Sequence, residues 1–105
     1  MKKIRILVAD DHALVRMGLS TPISCEPDMK IVAEAEDGPA AVRLALQHQP
    51  DIVIMDMQMP GGGGLEAIRQ LRTRLPSAKI LILTSFGLSA DLAEALAIGV
   101  SGARM

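Results

Sequence analysis

The sequence predicts an α/β protein built on a doubly wound parallel sheet. Short apolar runs alternate with segments of helical spacing, which is the pattern of repeated βα units. Most of these runs are apolar without interruption, as expected for parallel strands that helices cover on both faces. The chain has 105 residues, of which 50% are hydrophobic, and this suits a single compact domain over residues 1–105.

The apolar runs place the strands. Lys30–Ala35 is the most polar run, toward Glu34, and is therefore expected at an edge of the sheet. Residues 100–105 leave room for a short fifth strand and nothing more, so the fold is expected to be truncated there. The four longer predicted strands are Ile4–Ala9, Lys30–Ala35, Asp51–Met55 and Lys79–Thr84.

Helical periodicity fills the intervals between the strands, and prolines and glycines mark the ends. Pro22 lies inside the first helical segment, which it should kink or shorten. The second helix opens after Asp37-Gly38 and closes before Pro50, and Pro76 stops the third. A fourth begins after Ser89 and stops at Gly99. The apolar positions that define these helices are Ala13, Leu14, Met17 and Leu19; Ala40, Ala41, Leu44 and Ala45; Leu65, Ile68, Leu71 and Leu75; and Leu92, Leu96 and Ala97.

Composition and charge exclude several classes of function. A net charge of -1 and a pI near 6.1 give no positive field for a nucleic acid, so this segment is not expected to bind one directly. The apolar runs fall far short of the roughly 20 residues that cross a bilayer, which predicts no membrane contact. The single Cys25 cannot form an internal disulfide, and no signal peptide is evident, so we expect a cytoplasmic location.

Three acidic residues follow predicted strands. Asp10 and Asp11 come directly after the first strand, and Asp56 comes directly after the third. A right-handed crossover from the first strand, with later strands added on its other side, makes strands one and three neighbours. The three carboxylates should then converge, and they require a cation such as Mg²⁺ or Mn²⁺. With such an ion, a carboxylate can attack phosphorus and form an acyl phosphate.

Two residues at the end of the fourth strand fit the same site. The Thr84 hydroxyl can bond a phosphoryl oxygen, and Ser85 is small enough to leave an approach path. Each feature alone has a structural explanation: an Asp pair before a helix is commonly an N-cap and turn, and Thr is a good strand former. Because all of them fall at one edge of one sheet, the conjunction favours a functional site.

Five motifs span the sequence: Ile6-Leu7-Val8-Ala9-Asp10-Asp11-His12, residues 50–61, Gly64-Leu65-Glu66, residues 79–84 and Gly99-Val100-Ser101-Gly102. With these motifs the sequence resembles the response-regulator receiver domains over nearly its whole length. The resemblance implies a flavodoxin-like sheet with strand order 2-1-3-4-5. His12 and residues 34–38 resemble the subset fused to a LuxR/NarL-type helix-turn-helix output domain, which implies a DNA-binding partner domain and transcription regulation.

The resemblance also implies roles for individual residues. Asp56 would be the phosphoacceptor, and Asp11, Asp56 and the backbone carbonyl of Gln58 would bind Mg²⁺, with Asp10 acting through the water shell of the ion. Thr84 would be the switch hydroxyl, and Gln58 lies where family members tune the lifetime of the phosphoryl bond. Gly64 would supply backbone freedom after the Met59-Pro60 turn. A sensor histidine kinase or a phosphotransfer protein would be the donor, and the domain would catalyse only its own phosphorylation and hydrolysis, not turnover.

The sequence departs from the family in its last residues. The Lys that normally pairs with the phosphoryl group would fall just past Met105, and Arg104 lies two positions too early to replace it. Ala103 stands where an aromatic residue usually reports the switch. The fifth helix of the family is absent, which would expose an apolar sheet face. We therefore expect a homodimer, a domain-swapped oligomer or a fragment of a longer protein.

Two other functions compete with the phosphorylation switch. A pseudo-receiver would keep the fold and act as an interaction module without phosphate; the absent Lys and aromatic residue favour it, and the intact acidic residues oppose it. A phosphohydrolase with an Asp nucleophile usually needs a second Asp two residues later, where this chain has Gln58.

Overall fold

A computed structural model describes residues 3–57, 59, 63–83 and 102–104. Five parallel strands form one sheet in the order β2-β1-β3-β4-β5, so the predicted fold class and strand order are confirmed. Strand bounds agree with the predicted ones to within a residue where both are described. The strands are β1 (Ile4–Ala9), β2 (Met29–Ala35), β3 (Ile52–Asp56), β4 (Lys79–Leu83) and β5 (Gly102–Arg104).

The inner strands are buried as their continuous apolar sequences predict. Val53, Met55, Ile80 and Ile82 are fully buried, because helices cover this sheet face. The more polar β2 lies at the edge, as expected from its sequence. Its pairing with β1 shifts register between Ile6 and Leu7, a bulge that no feature of the sequence predicted.

Three helices are described, and each follows its predicted segment. They are α1 (Ala13–Ser24), α2 (Gly38–His48) and α3 (Gly63–Arg74). Asp37 is the N-cap of α2, and its Oδ1 accepts a hydrogen bond of 2.8 Å from the Ala40 N–H. Gln49 ends α2 in the left-handed region, with φ of 49°. The predicted fourth helix lies outside the described residues.

Pro22 does not end α1 at once. The helix continues two residues past it to Ser24, so Pro22 occupies the final helical turn. A proline at that place forfeits the helical hydrogen bond to the Gly18 carbonyl and interrupts little further helix. Pro22 therefore lies within α1, near its C-terminal end.

The two faces of the sheet are covered unequally. The main core lies beneath α2 and α3, where Ala41, Ala45, Ile68 and Leu71 pack on the strands. A smaller cluster of Ile6, Val8 and Ile54 lies on the α1 face, with Leu19 and Ile23 partly buried against it. No residue of α1 is fully buried. None of the described helices is long and apolar enough to span a membrane.

Candidate metal centre

Asp10 and Asp56 lie side by side at the carboxyl edge of the sheet. Ala9 pairs with Met55 across neighbouring parallel strands, so the residues that follow them, Asp10 and Asp56, come out at one edge. Asp56 is the last residue of β3, one position earlier relative to the strand end than the sequence predicted. Both residues are buried, with 4% and 8% of their surface exposed.

The turn from β1 into α1 is built on the side chain of Asp10. Its Oδ1 accepts a hydrogen bond of 2.8 Å from the His12 N–H, and its own N–H donates to the Ala35 carbonyl at 3.0 Å. His12, and neither aspartate, is the N-cap of α1. The N-cap part of the structural alternative is therefore wrong, whereas its turn part holds for Asp10, and neither carboxylate caps α1.

Four side chains converge at this turn: Asp10, Asp11, His12 and Asp56. Each can present one ligand atom so that all four atoms lie within 4.8 Å of one another. Opposite ligands of an octahedral Mg²⁺ with bonds of about 2.1 Å are about 4.2 Å apart, so a contraction of about half an ångström would close the group around one ion. The expected convergence of the three carboxylates is observed, and His12 joins them.

The charge in this cluster is suited to a cation. Asp11 Oδ1 is a buried oxygen with no hydrogen-bond partner in the described part of the chain. Such an atom is costly unless a ligand satisfies it. The His12 imidazole lies beside both carboxylates, with Nδ1 3.3 Å from Asp10 Oδ1 and 3.0 Å from Asp11 Oδ1. A set of hard carboxylate oxygens with one unsatisfied member fits Mg²⁺.

Arg16 holds the acidic turn from outside the cluster. Its Nη1 donates to the Asp10 carbonyl oxygen at 2.6 Å, and its guanidinium reaches Glu34 at 3.5 Å and Glu36 at 3.8 Å. These contacts tie the start of α1 to the end of β2. Arg16 donates to a backbone oxygen and pairs with two glutamates, so none of its described contacts is with the Asp10 carboxylate.

Gly64 packs closely against the backbone of Asp56 and Met57. It belongs to helix α3, and a Cβ there would lie 3.2 Å from the Asp56 carbonyl oxygen and 3.1 Å from the Met57 Cα. The position requires room for a close approach between α3 and the end of β3, not the backbone freedom that the sequence suggested.

Gln58, Thr84 and Ser85 lie outside the described residues, as does any side chain of β5. Sequence reasoning missed the part that Arg16 plays, because its bond to the Asp10 carbonyl depends on how α1 is oriented. It treated His12 only as a mark of a subset, although its position directly after an Asp pair was a signal that it could join a metal site.

Residues 6–103 match the protein family described as the response regulator receiver domain. Among curated proteins, the transcriptional regulatory protein LiaR of Bacillus subtilis (strain 168) is 46% identical over 83 residues, which cover 79% of this chain and 39% of that protein. The chain spans less than half the length of the curated relatives it matches.

Solved structures show the same fold. A two-component response regulator of the LuxR family from Aurantimonas sp. SI85-9A1 matches with a TM-score of 0.88 and 42% identity, covering 97% of this chain and 73% of that chain. The isolated REC domain of RcsB from Salmonella enterica serovar Typhimurium, solved in the presence of phosphomimetic BeF3-, matches with a TM-score of 0.88 and 26% identity, covering 99% and 78%.

Proposed function

Because this chain belongs to the response regulator receiver domain family, we propose that it is a phosphoacceptor signalling domain in which Asp56 takes up a phosphoryl group in a Mg²⁺-dependent reaction. The observation that carries the proposal is the convergence of Asp10, Asp11 and Asp56 at one edge of the sheet, within 4.8 Å. The LuxR/NarL-like subset expected from the sequence is confirmed, because the solved structures that the chain matches include a LuxR-family regulator and a NarL receiver domain.

Asp11 and Asp56 would hold the metal ion, together with the Gln58 carbonyl, while Asp10 would act through its water shell. Asp10 suits this indirect role because its Oδ1 already accepts the His12 N–H. Asp11 suits direct ligation because its buried Oδ1 lacks a hydrogen-bond partner in the described part of the chain. When bound, Mg²⁺ neutralises charge on phosphoryl oxygens and so supports attack by an anion.

Asp56 would be the nucleophile. One of its carboxylate oxygens forms a bond to phosphorus, while the bond from phosphorus to the donor breaks and the leaving group keeps the electron pair. The donor is a phosphohistidine or a small acyl phosphate, and the product is an aspartyl phosphate on this chain. The Thr84 hydroxyl would bond a phosphoryl oxygen, and the small Ser85 would leave the approach open. Water later cleaves the acyl phosphate, so the domain modifies itself and is not a turnover enzyme.

The partners follow from the family and from the relatives. A sensor histidine kinase or a phosphotransfer protein would supply the phosphoryl group in the cytoplasm. Since the relatives are longer transcriptional regulators, we propose a DNA-binding output domain as the element that the switch controls. Self-association remains a prediction, to be checked by light scattering on the purified chain.

Incubation with acetyl phosphate and Mg²⁺, read by intact mass spectrometry, tests the proposal. We expect one labile phosphoryl adduct on the wild-type chain and none on Asp56→Asn. Asp51→Asn is the matched control, because Asp51 lies directly before β3, at the opposite end of the strand from Asp56. This variant should form the Asp56 adduct as the wild type does. No adduct on the wild type would point to the pseudo-receiver, and continuous release of phosphate from esters would point to the hydrolase.

A further inference from the structure

The imidazole of His12 lies in the acidic cluster, where its described hydrogen bond joins Nδ1 to Asp10 Oδ1 at 3.3 Å. His12 is the N-cap of α1, yet its side chain makes no capping hydrogen bond. The backbone serves the fold instead: the His12 N–H donates to Asp10 Oδ1 at 2.8 Å, and its carbonyl accepts the Arg16 N–H at 3.0 Å. The side chain is 68% exposed, so packing does not explain where the ring lies.

The distance from the ring to Asp11 fits shared coordination of one ion better than a hydrogen bond. His12 Nδ1 lies 3.0 Å from Asp11 Oδ1, yet that oxygen has no hydrogen-bond partner among the described residues. The contact is therefore short but misaligned for hydrogen bonding. Two ligand atoms at right angles on one ion, with bonds of about 2.1 Å, are about 3.0 Å apart. Each of them points at the ion, so the two ligand atoms need not satisfy a hydrogen-bond angle with each other.

A nitrogen donor changes which metal a carboxylate site prefers. Mg²⁺ favours oxygen ligands, whereas an imidazole suits transition-metal dications and raises the affinity of a site for them. We propose that His12 Nδ1 is a metal ligand beside Asp11 and Asp56, and that it makes this site select transition-metal dications such as Mn²⁺ over Mg²⁺. The inference rests on the proposed function, because it concerns the same ion.

Calorimetric titration with Mn²⁺ and with Mg²⁺ tests the selectivity. Wild type should bind Mn²⁺ more tightly than Mg²⁺, and His12→Gln should weaken Mn²⁺ binding about tenfold or more while changing the Kd for Mg²⁺ less than about threefold. His48→Gln is the matched control, because it removes the other imidazole of the chain, in the last turn of α2, and should leave both constants unchanged.

A second readout follows the ring directly. In a chain labelled with ¹⁵N at histidine, the diamagnetic Zn²⁺ should move the Nδ1 resonance of His12 and leave that of His48 in place. Since His12 is exposed and makes no side-chain cap, His12→Gln should melt within a few degrees of wild type, which circular dichroism checks.

The outcomes separate this inference from the proposed function. If His12→Gln keeps the wild-type preference for Mn²⁺ and Zn²⁺ leaves the His12 resonance unmoved, His12 is not a ligand, while an Asp56 adduct formed in Mg²⁺ would still support the switch. If the wild-type chain binds neither Mn²⁺ nor Mg²⁺, the metal site itself is wrong, and the proposed function falls with it.

Discussion

Gly64 packs so closely on the end of β3 that a Cβ there would lie 3.2 Å from the carbonyl oxygen of Asp56. Alanine in a helix is favoured over glycine by about 1 kcal/mol, but overpacking against a backbone costs about 1–3 kcal/mol. We expect Gly64→Ala to lower the free energy of unfolding by about 1 kcal/mol. Urea denaturation measures this change.

Gly18→Ala is the matched control for that substitution. Gly18 lies inside α1, and a Cβ there would have nothing within 4 Å. With no neighbour to displace, it should stabilise the chain by up to about 1 kcal/mol. Equal effects of the two substitutions would contradict a close contact at Gly64.

Removal of one charge from the acidic cluster should have opposite effects with and without metal. In EDTA, Asp11→Asn should leave stability unchanged or raise it, because it relieves repulsion among Asp10, Asp11 and Asp56. In Mg²⁺ at about ten times the Kd, the wild type should gain about 1.4 kcal/mol. The variant should gain much less. Thermal melts at matched ionic strength give both values, and a wild type that Mg²⁺ does not stabilise would argue against the site.

The acidic residues could be predicted from sequence because topology alone places them. Once the runs at residues 4–9 and 51–55 are read as neighbouring parallel strands, Asp10 and Asp56 must share an edge. The Arg16 contacts and the orientation of the His12 ring depend on how α1 is positioned and on side-chain rotamers, which no spacing encodes. The prediction of backbone freedom at Gly64 was wrong. A close approach between two elements and a flexible turn both favour glycine, so the sequence alone does not distinguish them.

Asp51 links strands β1 and β4 at the amino-terminal ends of the central strands, opposite the acidic cluster. Its Oδ2 accepts the Arg5 N–H at 2.8 Å, its own N–H donates to the Arg5 carbonyl at 2.8 Å, and its carbonyl accepts the Lys79 N–H at 2.9 Å. Only the first of these bonds uses the side chain. Asp51→Ala should therefore cost about 0.5–1.5 kcal/mol of unfolding free energy. Asp51→Asn keeps an acceptor oxygen, and if it cost as much as Asp51→Ala, the hydrogen bond would not be the cause.

Gln49 carries backbone strain that a glycine would relieve. Its φ of 49° is left-handed, and its N–H donates to the Ala45 carbonyl at 2.7 Å to close α2. A side chain in that region costs about 1–2 kcal/mol, and the added freedom of glycine in the unfolded chain offsets about 0.5–1 kcal/mol. Gln49→Gly should thus raise the unfolding free energy by about 0.5–1 kcal/mol. Gln49→Ala keeps the Cβ, so in the same urea titration it should show no such gain.

Helix α1 covers its side of the sheet with no fully buried residue, and Leu14 and Met17 are 80% and 61% exposed. An element held by so little buried surface opens locally before the rest of the protein unfolds. Its amide protons should accordingly exchange with solvent faster than those of α2. Because His12 is the N-cap of α1, an ion that fixes the Asp10–His12 turn should slow deuterium uptake along this helix.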